Sequence, residues 1–189
     1  MTQITTVDPT NFTQIVEENH RPVYNLCYRM LGDPSDAEDA SQETFWKAYR
    51  NFHRYDPTRS LLTWLLSIAA HHCIDELRKR KMKTFSIDLF ADEVLPDQAP
   101  LSECMVSTNL ENEQLRCLLI KLQPDDRAAI IMRYWYSLSD EEIGESLHLS
   151  ISAVKSRLFR ARKLLASAWQ RQQGESTADI RRQHEPQSI

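Results

Sequence analysis

Apolar residues recur at three- and four-residue intervals in successive blocks of this chain, the spacing that places them on one face of a helix. Over residues 11–31 the positions are Phe12, Ile15 and Val16, then Val23, Leu26, Cys27, Met30 and Leu31. Pro22 predicts a kink or a division there, and Gly32 a C-cap. Asp33-Pro34-Ser35 opens the next helix, with Ser35 and Glu38 as a capping box. Its inward face is Ala37, Ser41, Phe45, Ala48 and Phe52; its outward face is Asp36, Asp39, Gln42, Glu43, Trp46, Lys47 and Arg50. A polar loop over 51–60 ends at Ser60, which caps a long helix running to about Lys83. The first half of that helix, 61–70, is apolar nearly all round and belongs between other helices.

Between 84 and 107 the periodicity fails. Pro96 and Pro100 interrupt it, and Asp88, Asp92, Glu93, Asp97 and Glu103 have only Lys83 as a nearby base, which reads as a flexible acidic linker. Helical spacing resumes near Asn109 with Leu115, Leu118, Leu119 and Leu122. Pro124-Asp125-Asp126 starts a further helix, and acids at its positive end are enough to explain that carboxylate pair. Ala128, Ile131 and Tyr134 or Trp135 are expected to pack under the two helices that follow. There Ser139 and Glu142 form a capping box, with Leu138 and Ile143 as its hydrophobic staple. His148-Leu149-Ser150 breaks the period, and Ser150 caps a helix beginning at Ile151, where Leu149 and Val154 repeat the staple. Two capped helices joined by so short a turn make a helix-turn-helix.

Three glycines in 189 residues are few for a strand-rich fold. The expectation is therefore all-α: two small helical domains, 10–83 and 109–171, joined by the acidic linker 84–108 and followed by a polar, disordered tail, 172–189. The net charge of -4 has the wrong sign for a nucleic-acid binder until its distribution is followed, because acids lie early and in the middle while bases collect in two helices. No apolar run is long enough to span a bilayer and the N-terminus is polar from Thr2 to Thr10, so a cytoplasmic protein is expected. Cys27, Cys73, Cys104 and Cys117 form no CxxC pair and are expected as reduced, mostly buried thiols. Neither a metal site nor a cofactor is expected, and His71-His72-Cys73 does not alter that. Adjacent helical residues point about 100° apart and cannot all reach one ion.

The helix from Ile151 carries the chemistry. Val154, Leu158, Ala161 and Leu165 share one narrow face, with Ser152, Ser156, Phe159, Arg160 and Lys163 opposite and Lys155 and Arg162 flanking. Five cations and no acid lie between Ile151 and Leu165, a helix that repels itself unless something anionic lies against it. A solvated basic face is the bland alternative. Phe159 argues against it, because an aromatic on the outer stripe suits a thymine methyl or a sugar in a major groove. A second basic end, Arg78, Lys79, Arg80, Lys81 and Lys83, follows Asp75 and Glu76, although the helix dipole alone would favour it. On the second helix, an exposed Trp46 rimmed by carboxylates marks a protein-docking surface better than dipole-favoured acids do.

Several motifs in order resemble the bacterial RNA polymerase sigma factors of the extracytoplasmic-function class. They are Leu31-Gly32-Asp33 with Asp36-Ala37-Glu38-Asp39-Ala40 and Gln42-Glu43-Thr44-Phe45; Thr63-Trp64-Leu65 with Ile68-Ala69; Ile74-Asp75-Glu76-Leu77-Arg78; and Ser139-Asp140-Glu141-Glu142-Ile143-Gly144 leading into Val154-Lys155-Ser156-Arg157-Leu158-Phe159-Arg160-Ala161-Arg162. The resemblance covers roughly residues 12–170. It implies a factor that binds core RNA polymerase, directs it to promoter DNA and helps open it, with an anti-sigma factor as a further partner. It implies polymerase docking, on the clamp helices of the largest subunit, through Asp36, Asp39, Gln42, Glu43 and Trp46. It implies minus-ten recognition and melting through the 51–60 loop and the following helix, with Arg54, Tyr55, Arg59, Trp64, His71, Asp75, Arg78 and Arg80. It implies minus-thirty-five recognition through Ser152, Lys155, Ser156, Phe159, Arg160 and Lys163. Ser67 and His71 depart from the family pattern at positions near the flipped-base pocket; His71 retains a donor for a base.

Two rival classes follow from the residues. A helix-turn-helix regulator acting without polymerase leaves the first domain unexplained. An enzyme lacks a HExxH, a Gly-rich phosphate loop or a nucleophile elbow. A protein held silent by a partner is compatible with the sigma-factor reading.

Overall fold

A computed structural model describes the backbone of residues 9–88 and 110–183 and the side chains of residues 12–82 and 114–171. The first helix, α1 (Pro9–Leu31), is not divided at Pro22. Buried apolar residues on both sides of the proline, Phe12 before it and Val23, Leu26, Cys27 and Met30 after it, hold the helix together against the roughly 3 kcal/mol that an internal proline costs. Gly32 ends it at φ 82°, a left-handed conformation that suits glycine, and donates its N–H to the Tyr28 carbonyl.

The next helix, α2 (Pro34–Asn51), is capped by Asp33 and not through the Ser35–Glu38 box. With Pro34 at the first helical position, Asp33 is the residue left in extended backbone, and its carboxylate accepts the Asp36 N–H at 3.0 Å. Its inward face is as read from the sequence, with Ala37, Ser41, Phe45 and Ala48 buried and Phe52 half-buried. After a single 3-10 turn (Phe52–Arg54), α3 (Leu61–Asp88) starts at Ser60, whose hydroxyl accepts from Thr63. The helix runs to Asp88, so the first five positions of the expected linker, 84–88, are helical. They hold no proline or glycine to stop it. The rest of that linker, with Asp92, Glu93, Asp97 and Glu103, lies outside the described residues.

Among the described residues four further helices follow: α4 (Leu110–Ile120), α5 (Pro124–Trp135), α6 (Asp140–Leu147) and α7 (Ile151–Gln183). The last passes Gly174 and replaces much of the expected disordered tail. One internal glycine costs a helix only about 1 kcal/mol, and the next proline is Pro186. Trp135 is half-buried against the apolar cluster. It lies beneath the Arg29 guanidinium, 5.0 Å away, while Tyr134 is exposed.

Helices α1, α2 and α3 form one bundle, and α5, α6 and α7 with α4 form another. The two are packed together: α1 meets α4 and α5, and α3 meets α5 and α6, so that one apolar cluster runs through both. The seam is also polar. Arg127, buried among apolar residues, donates to the carbonyls of Met30, Ile120 and Leu122, and Arg116 donates to that of Gly32. The Tyr136 hydroxyl donates to the Pro22 carbonyl at 2.5 Å. Desolvation pulls the Arg127 guanidinium down to about 10, still protonated at neutral pH, and the carbonyl ends of α1 and α4 supply the negative potential it needs.

Cys27 and Cys73 are buried free thiols, as expected. A hydrogen bond with Cys27, together with burial, raises the Cys73 thiol. Cys117, only half-buried on α4, is disulfide-bonded, which corrects the expectation of a reduced thiol there. It lacks the enclosure that keeps the other two inert.

Candidate nucleic-acid interface

The helix-turn-helix is built as the sequence prescribes. The Ser139 hydroxyl accepts the Glu142 N–H at 3.1 Å, and the Glu142 carboxylate accepts the Ser139 N–H at 2.8 Å. His148 closes α6 in the left-handed conformation, with φ 54°. A Cβ at Gly144 would stand 2.8 Å from the Leu149 carbonyl oxygen, so the tight return of the chain needs glycine there. Ser150 caps α7 by accepting from Ala153. Val154, Leu158 and Ala161 are buried beneath α7.

On the opposite side Ser152, Lys155, Ser156, Phe159, Arg160 and Lys163 are all exposed, Phe159 to 63%. The sequence-derived outer stripe is thus one open surface. Its self-repulsion is relieved by a residue that sequence reasoning passed over. Asp126 on α5, whose side chain is 7% exposed, takes Arg157 at 2.9 Å and Arg160 at 3.4 Å. The acidic start of α5 looked complete as a dipole effect; what could have flagged Asp126 was the absence of any acid within the Ile151–Leu165 stretch itself.

The second group of candidates clusters on the 51–60 loop and α3. Asp56 fixes the loop by accepting the Thr58 N–H and hydroxyl, and these bonds hold its carboxyl below the usual carboxylate range. Tyr55 and Trp64 pack with Phe52 as an aromatic cluster, at ring separations of 5.3–5.9 Å. Arg54 and Asp75 are exposed. Arg59, His71 and Arg78, with Ser67 beside them, meet the other bundle. Arg59 pairs with Glu145 at 3.3 Å, and Ser67 donates to the Ser146 carbonyl at 2.9 Å. The His71 ring lies 4.9 Å from that of His148, and Arg78 Nη2 donates to both carboxylate oxygens of Asp125 at 3.1 Å. Between them lies a cavity of about 470 Å³ lined by Arg59, Thr63, Trp64, Glu142, Glu145 and His148 among others.

The candidate docking face on α2 is open at Asp39, Gln42 and Trp46, the tryptophan to 56%, with Glu43 half-buried beside Lys47 at 3.7 Å. Asp36 is drawn away from the others. It pairs with Arg80 at 2.8 Å, joining two residues that the sequence assigned to separate surfaces, and the bond raises the Arg80 guanidinium. Among the described residues no cluster of three or more potential ligands is placed to hold a metal, and no helix is long and apolar enough to cross a membrane.

The models of Sigma-70 region 2 and Sigma-70 region 4 match residues 15–82 and 112–165 respectively. The ECF RNA polymerase sigma factor SigW of Bacillus subtilis is 36% identical over 176 residues, covering 86% of this chain and 91% of that protein. SigM of the same organism, also an ECF RNA polymerase sigma factor, is 32% identical over 154 residues, covering 79% and 89%. The fold is shared with the sigma factor RpoE of Bartonella quintana, solved in complex with the anti-sigma factor NepR, at a TM-score of 0.66 and 24% identity over 85% of this chain and 98% of that one. With both sigma regions present in order, a capped helix-turn-helix in the second and near full-length relatives, the chain belongs to the ECF RNA polymerase sigma factors, which bind core polymerase and direct it to specific promoters.

Proposed function

We propose that this sigma factor divides its work among three surfaces. The α2 face, with Asp36, Asp39, Gln42, Glu43 and Trp46, docks on the clamp helices of the largest polymerase subunit. The 51–60 loop and α3, through Arg54, Tyr55, Arg59, Trp64, His71, Asp75, Arg78 and Arg80, recognise and melt the minus-ten element. The α7 face, through Ser152, Lys155, Ser156, Phe159, Arg160 and Lys163, reads the minus-thirty-five element. Residues 10–83 and 109–171 are the two working units. The protein acts in the cytoplasm, catalyses no reaction of its own and is held in check by an anti-sigma factor, the kind of partner with which its solved structural neighbour was crystallised.

The observation that carries this reading is Trp46, a large ring exposed among Asp39, Gln42 and Glu43, which a free-standing DNA-binding regulator does not need. Arg59, Ser67 and Arg78 are engaged by α5 and α6, so the two bundles part before single-stranded DNA reaches them. Run-off transcription with core polymerase on a promoter library tests the assignment. Wild-type protein should select templates sharing two elements, and Trp46→Ala should weaken core binding by about 2 kcal/mol, roughly thirtyfold. Full promoter-dependent transcription by that variant would favour a regulator that does not dock.

A further inference from the structure

We propose that Asp126 is a positioning residue for promoter recognition: it holds the Arg160 guanidinium in its reading orientation before DNA arrives. The inference rests on the proposal that α7 reads the minus-thirty-five element through Arg160. Arg157 and Arg160 are three residues apart on α7 and so lie side by side on one flank of the helix. Both reach the same Oδ1 atom, Arg157 through Nη1 at 2.9 Å and Arg160 through Nη2 at 3.4 Å.

The two arginines are not equivalent. Arg157 is 25% exposed and lies on the shorter contact, so it fastens α7 to α5. Arg160 is 55% exposed, and its guanidinium carries further N–H donors beyond the one on Asp126. The carboxylate that holds it is itself only 7% exposed. Asp126 sits in the first turn of α5 after Pro124, and its neighbour Arg127 is anchored by three carbonyls. A free arginine loses much rotamer freedom when it bonds a base edge in two places, whereas one already tethered along a single N–H has less left to lose. The same carboxylate offsets the repulsion between the two cations, so Arg160 need not swing away from Arg157. Asp126 is thereby expected to affect sequence discrimination, which a simple helix fastener would not.

The test uses full-length protein with core polymerase and templates varied one base pair at a time across the minus-thirty-five element. Arg160→Ala should lose about tenfold discrimination at one base-pair position. Asp126→Asn, which keeps the shape and removes the charge, should lose discrimination at that same position and leave intact the positions sensitive to Lys155→Ala. The double variant should be no worse there than Arg160→Ala alone. If Arg160→Ala changes no base preference, the assignment of Arg160 as a reader fails. If Arg160→Ala does change it and Asp126→Asn lowers transcription equally on all templates, or not at all, the positioning role fails. Side-chain ¹⁵N relaxation of the wild-type chain decides the matter even if Asp126→Asn does not fold. The Arg160 guanidinium should be ordered without DNA, and free rotation there would overturn the proposal.

Discussion

The outer face of α7 and the inner face of α3 both carry the cations and aromatic rings that suit a nucleic acid, yet one is open and the other is covered. Phe159, Lys155 and Lys163 stand in solvent, and Arg160, though held by Asp126, is 55% exposed. Arg59, Ser67, His71 and Arg78 instead face acids, a carbonyl and a second imidazole from α5 and α6. The difference lies in what each surface must bind. A double helix is read from outside by a rigid helix. An unstacked strand needs a pocket, and a pocket lined by an arginine and a tryptophan attracts whatever carboxylates the same chain can bring to it.

The largest expected effect comes from removing the residue that keeps the second surface covered. Arg127→Met leaves the carbonyls of Met30, Ile120 and Leu122 without their buried donor. It should cost about 3 kcal/mol in urea unfolding and enlarge the particle in small-angle scattering. An unchanged midpoint and radius would show that Arg127 does not hold the bundles together. Phe159→Ala should weaken minus-thirty-five binding by roughly 1–2 kcal/mol without altering the melting temperature, because the ring touches solvent and not core. A matching drop in stability would mean that the open face is less open than described. Lys163→Gln should reduce the slope of affinity against salt by about one counterion and leave base preference alone. The smallest effect is expected from Glu145→Gln. It releases Arg59 from an exposed pair, and such pairs contribute little, so affinity for a minus-ten single strand should rise by less than about fivefold. A much larger rise would make that one contact the principal closure.

The legible parts of the molecule were those governed by neighbours in sequence. The Ser139–Glu142 box, the Ser150 and Ser60 caps, the Gly32 terminus and the buried stripes of α2 and α7 all follow from spacing of three or four residues, which a helix converts directly into proximity. Where local rules competed, the sequence misled. Asp33 outranked Ser35 as a cap because Pro34 fixes the helix start, and Pro22 did not divide α1 because packing on both sides outweighed it. Gly174 and residues 84–88 failed to end their helices for want of a proline. Arg127 follows two aspartates and carries no local sign of burial, and the helix dipole is a sufficient local reason for Asp126. Their partners lie 97 and 31 residues away for Met30 and Arg157, a distance no periodicity spans.

The amino-acid order alone determined that this chain is helical, where its charges gather, and which face of each helix turns outward, because those properties depend on residues within one or two turns of each other. Tertiary structure decided which of the outward faces remain available. Asp36 was taken by Arg80, Arg78 by Asp125 and Arg59 by Glu145, while Trp46 and Phe159 were left in solvent. The physical reason is that a charge can be satisfied by any opposite charge the fold brings within 4 Å, whatever its place in the sequence, whereas an exposed ring stays exposed unless an apolar surface is folded over it.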